Sequence, residues 1–173
     1  RTASNGGSHI ITLRMKKMFL TMAAIFSGFA FSMAQNPANW EQKLTFYGID
    51  FSMTKVVGAS ETPEEFLEAF SGINSLLLSE PEKYVHPLAT RLKTDIDAVD
   101  IDPVLAVIKE IDPEEIKINK SADLLSEDDL KYAVMGLDLK PGNGIGLLVV
   151  CGELDKGSDY GTFYYVMFDQ KDM

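Results

Sequence analysis

The sequence predicts a three-layer α/β domain, a mixed β-sheet with helices packed on both faces. Three observations lead there. Two strand-like runs, Ile145 to Leu154 and Gly161 to Asp169, stay apolar on successive residues. A strand with one wet face alternates, so these two belong at the centre of a sheet covered on both sides. Helical patterns with one apolar face precede them and supply that cover.

The elements follow in order. Lys43 to Phe51 (KLTFYGIDF) is aromatic and partly β-branched, and reads as a strand. Lys55 to Val57 either extends it after a kink or forms its return. Thr62-Pro63-Glu64-Glu65 is a capping box with proline at the first helical position. Phe66, Phe70, Ile73 and Leu77 then recur on one helical face. Pro81 stops that helix, and Glu82 to Leu92 holds another short helical piece. Asp102-Pro103 reads as an N-cap and first turn, with Val104, Val107, Ile108 and Ile111 behind it. Asp112-Pro113-Glu114-Glu115 resembles a cap, yet Ile116-Lys117-Ile118 alternates like a strand, so both readings stay open. Ser126-Glu127-Asp128-Asp129 begins a further helix whose acidic first turn suits the positive helix end. Pro141 to Gly144 is a turn. The last two strands form a hairpin with a loop of about six residues, central in the sheet.

The amino-terminal region has its own pattern. Met15-Lys16-Lys17 is a short basic start, Met18 to Phe31 is uncharged and apolar, and Ser32-Met33-Ala34 offers small residues for cleavage before Gln35. This is the pattern of a secretory signal peptide over 15–34. The apolar run has about 14 residues, short of the roughly 20 that span a bilayer. Residues 1–14 contain no methionine and read as a non-native upstream extension, outside the fold. The single domain is then 35–173, a length that suits one core. It is expected to continue beyond Met173, because the last strand lacks a second neighbour. Localisation is expected to be exported, periplasmic or secreted, with no membrane span after cleavage.

Charge and residue counts exclude several chemistries. The full chain carries a net charge of −10, and losing Arg1, Arg14, Lys16 and Lys17 lowers it by four, to −14. Such a surface repels nucleic acid phosphates and anionic membranes. Cys151 is the sole cysteine, so no internal disulfide forms, and its apolar strand makes it a buried thiol. After residue 34 the one histidine is His86, with no Gly-x-Ser-x-Gly elbow to pair with it. Gly142-Asn143-Gly144-Ile145-Gly146 precedes a strand rather than opening a helix, so it is a turn and no phosphate loop. Asp95, Asp97, Asp100 and Asp102 fail the EF-hand template, because positions six and twelve are Asp100 and Ala106. No catalytic residue, metal ligand or cofactor is assigned. Three residues stand out as candidates for ligand binding. Asp50 interrupts an aromatic strand, Asn74 lies on the first long helix, and Lys156 lies between the last two strands.

Tyr47-Gly48-Ile49-Asp50-Phe51-Ser52, Phe70-Ser71-Gly72-Ile73-Asn74, Glu80-Pro81-Glu82-Lys83-Tyr84, Gly144-Ile145-Gly146-Leu147, Leu154-Asp155-Lys156 and Tyr165-Val166-Met167-Phe168-Asp169, with the leader, carry a resemblance over most of the domain. Together they resemble a family of small exported Bacteroidetes proteins of unknown function. The resemblance implies compartment and domain identity, continuation past the last strand with another strand and a helix, and no mechanism. The expected function is a non-enzymatic envelope protein that binds a small ligand or another envelope protein. The alternatives are a small carboxylate-based hydrolase, with or without a cation, and a structural or assembly factor.

Overall fold

The computed structural model describes residues 9–16, as backbone, and residues 43–173. Most of the leader pattern, 17–34, therefore lies outside the described residues. The architecture is α/β. Among the described residues seven strands form one mostly parallel sheet: β1 (His9–Lys16), β2 (Leu44–Asp50), β3 (Lys55–Val57), β4 (Ala98–Val99), β5 (Lys117–Ile118), β6 (Ile145–Asp155) and β7 (Tyr160–Asp169). Four α-helices accompany them: α1 (Pro63–Ser79), α2 (Pro81–Leu92), α3 (Asp102–Lys109) and α4 (Glu127–Met135).

β6 is the spine. One edge pairs antiparallel with β7, and the other takes β2 along Ile145 to Val150 and then β3 along Glu153 to Asp155, both parallel. Lys55–Val57 thus extends the first strand in the same direction, after a turn in which the Thr54 amide donates to the Phe51 carbonyl at 3.0 Å. β4 flanks β2, β5 flanks β3, and β1 flanks β7. The sequence reading set 1–14 aside from the fold; the structure uses His9–Lys16 as the second neighbour of β7.

Both faces are covered, as the unbroken apolar runs require. Tyr164 and Tyr165 are successive strand residues, so their side chains point to opposite faces. The Tyr164 hydroxyl accepts from the Leu125 amide, just before α4, at 3.0 Å. On the other face burial raises the Tyr165 pKa, and the charge of Arg91 in α2 partly offsets that. α1 packs on α2 and α3 there, while α4 packs on β6 and β7. The core includes Phe46, Phe51, Phe70, Leu147, Leu148 and Val150, each at most 1% exposed.

Local chemistry sets the helix ends. Thr62 and Glu65 form the reciprocal capping box on α1, and Ser126 and Asp129 form one on α4. α3 departs from expectation: Ile101 is its N-cap, and Asp102 sits in the first turn with its amide bonded to Asp100 Oδ1 at 3.2 Å. The 113–118 ambiguity resolves into both readings, a single 3-10 turn over Pro113–Glu115 followed by β5. The hairpin loop holds four residues, two fewer than expected. Among the described residues, no helix is long and apolar enough to cross a membrane.

Candidate functional site

β6 and β7 build a small polar cleft by breaking their own register. Cys151 pairs with Phe163, but Leu154 pairs with Gly161. Gly152 and Glu153 therefore oppose the single residue Thr162, a β-bulge. The bulge turns Glu153 toward the face that carries Tyr160, Thr162 and Tyr164, which line one cleft with it.

The loop before α4 closes this cleft. Ser121 Oγ donates to Glu153 Oε1 at 2.9 Å and lies 2.7 Å from Oε2, and the Ala122 amide donates to Oε2. Thr162 Oγ1 donates to the Tyr160 hydroxyl at 3.2 Å. The cleft holds about 100 Å³ and is lined by Ser121, Ala122, Asp123, Leu124, Glu153, Tyr160, Thr162 and Tyr164. That is below the roughly 300 Å³ of an ordinary small-molecule site, so it accepts an end group rather than a whole ligand. Its lining combines two carboxylates with four hydroxyls and contains no cation. Anions are disfavoured there, whereas ammonium and hydroxyl donors meet acceptors.

The three residues singled out by sequence do not form one site. Asp50 is fully buried at the end of β2. Its Oδ1 accepts from the Ser52 amide and its Oδ2 from Ser52 Oγ, both at 2.8 Å. Asn74, also fully buried, accepts from the Ile49 amide at 2.8 Å and donates to the Ile49 carbonyl at 2.9 Å. The amide side chain thus acts as a strand neighbour where β2 shifts register between Phe46 and Ile49. Gly48 permits the shift: its φ is +90°, and a Cβ there would lie 2.5 Å from Asn74 Oδ1. Lys156 lies six residues beyond Val150, the partner of Asp50, roughly 20 Å along the strand direction. Lys156 pairs with Glu61, and that hydrogen bond holds the Glu61 carboxyl below its ordinary range.

Burial raises the Asp50 pKa, and its two bonds from Ser52 only partly oppose the shift. Its contribution to stability is therefore complete below the unfolded carboxyl range, near pH 3.9. It is lost as pH rises through the folded value. Asp50→Asn can keep both Ser52 contacts without a charge. Its stability relative to wild type is expected to increase from about pH 3 to pH 7, read from urea midpoints. A difference that stays flat over that window would rule the burial effect out.

The other titratable groups sort by placement. Cys151 is fully buried, and desolvation pushes its pKa up to about 12, so it is held as a thiol. His86 Nδ1 lies 2.7 Å from Glu82 on the exposed side of α2. Among the described residues no group of three or more His, Cys, Asp or Glu is placed to hold a metal ion. Of the four aspartates near β4, Asp97 accepts from the Leu44 amide at 2.7 Å and Asp100 from Asp102. Sequence reasoning missed Glu153. The available signal was a glutamate following a glycine inside an apolar strand, where isolated glycine marks a bulge. Comparison with protein-family models, curated proteins and solved structures finds no match to this chain.

Proposed function

We propose that this chain is an exported, non-enzymatic binding domain of the cell envelope, akin to the exported Bacteroidetes proteins it resembles. In this reading the Glu153 cleft holds the cationic end of a small ligand or of a partner protein's side chain. One observation carries the reading. A buried carboxylate, fixed by Ser121 and Ala122, faces a small cleft of hydroxyls and a second carboxylate. Glu153 is held in place by these bonds, which leave acceptor capacity on the rest of its four lone-pair directions. The leader pattern supports the location.

The test uses protein expressed from the full sequence in a Gram-negative host and recovered from the envelope fraction. A first residue other than Gln35, by mass, would sink the export half. The binding half is read by amide chemical shifts during titration with Nα-acetyl-lysine amide, against the norleucine amide as uncharged control. Saturable shifts at Ser121–Leu124 and Gly152–Tyr164, seen only with the ammonium, are expected. Glu153→Gln is expected to weaken binding about tenfold or more, the loss of one charged hydrogen bond. It is also expected to lower stability by about 1 kcal/mol, because the bonds to Ser121 and Ala122 become neutral. Equal responses to both probes would remove the cleft from consideration.

A further inference from the structure

The two ends of the sheet are protected very differently. At one end β4 is two residues long and is flanked by Asp95, Asp97, Asp100 and Asp102. Short length and charge are the devices that stop a sheet edge from pairing with another chain. At the other end β7 has ten residues, and between Tyr160 and Phe168 it contains no charge, no proline and seven aromatic or β-branched residues. A window of this kind pairs readily when its edge is open. β1 covers that edge through eight consecutive antiparallel pairs, His9 with Met167 through Lys16 with Tyr160, without a bulge. β1 itself brings Arg14 and Lys16 to the sheet margin.

We propose that the outer edge of β7 is an association surface for a second copy of this chain, and that β1 keeps it closed. The faces of β7 are already covered, by the loop before α4 on one side and α2 on the other. Without β1, what opens is a row of backbone donors and acceptors. An antiparallel edge is complementary to itself, so two such rows pair around a two-fold axis. No charge lies between Tyr160 and Phe168 to oppose that pairing. Met15 and Lys16 belong both to β1 and to the start of the leader pattern. Cleavage after Ala34 would thus remove the guard, which couples export to dimerisation. That coupling rests on the export reading; the edge itself does not.

The experiment separates the two. A specific protease site is inserted between Gln35 and Trp40 of the full chain, and the mass in solution is measured by sedimentation before and after cutting. The intact chain is expected to be monomeric and the cut chain, freed of its amino-terminal piece, dimeric. A synthetic His9–Lys16 peptide in excess is expected to return it to monomer. In the uncut chain, the double substitution Thr12→Pro and Leu13→Pro removes two successive amides, one of which must face β7. It is expected to dimerise without cutting. A folded cut chain that stays monomeric overturns the proposal, as does a dimer indifferent to the peptide. Loss of the fold in both the cut chain and the double variant would make β1 structural and overturn it equally.

Discussion

Replacing Phe70 by alanine is expected to destabilise the folded chain by about 3–5 kcal/mol. Phe70 is 1% exposed, and its ring lies parallel to that of Phe51 at 4.1 Å, within 2° of coplanar orientation. Phe66 flanks it on the same helix at 6.0 Å. The stack joins α1 to the end of β2, so the variant loses transferred apolar area and leaves a cavity between two regular elements. Neither element can collapse into it without breaking its own hydrogen bonds. Urea titration should show a lower midpoint with an unchanged slope. A cycle with Phe51→Leu should recover a coupling of about 0.5–1.5 kcal/mol, the share that depends on ring against ring. Exposed Glu68→Ala, on the same helix, should change little. A Phe70→Ala loss below about 1 kcal/mol would show that this face of α1 is not core.

Asn74→Leu is expected to cost about 2–5 kcal/mol, although leucine has a similar size and is more apolar. The reason lies in what it abandons. Asn74 satisfies both the amide and the carbonyl of Ile49, and also bonds the Phe70 carbonyl at 3.2 Å. Each buried backbone group left without a partner costs about 1–3 kcal/mol, and two on Ile49 are at stake. Hydrogen exchange gives the sharper readout. The Ile49 amide should be protected in wild type and should exchange through a local opening in the variant. Retained protection at Ile49 would mean another group replaces the asparagine and would refute this account.

Residues near in sequence were the legible ones. The capping box at Thr62 and the helix start at Ser126 could be read because donor, acceptor and helix lie within four residues. The apolar continuity of β6 and β7 correctly implied two covered faces, because burial leaves a direct trace in composition. Pairings across long separations were less visible. Whether Lys55–Val57 continued or returned depended on β6, about a hundred residues later, and sequence alone left it open. Glu153 depends on Ser121 and Ala122, which reach it across a loop, and on a bulge that only the pairing of Leu154 with Gly161 reveals. Asp50 stood out as a polar residue in an aromatic strand, and Asn74 by its place on the first long helix. Those features marked buried bonding to Ser52 and Ile49 rather than one shared cleft with Lys156. The aspartate run around β4 was conspicuous as a cluster, and its place at the sheet margin explains it.

The position of β6 in the chain has a consequence for timing. β2 and β3 have their main partner in a strand that begins at Ile145, and the Thr54 hydroxyl donates to the Cys151 carbonyl across 97 residues. During synthesis these strands must therefore wait for their main partner until residues 145–155 exist, with only the two-residue β4 and β5 to pair with earlier. Closing such long loops before any pairing can compensate makes for slow assembly. The helices can form early, but the layer they rest on arrives last. A polypeptide built this way keeps its sheet open until β6 has been made.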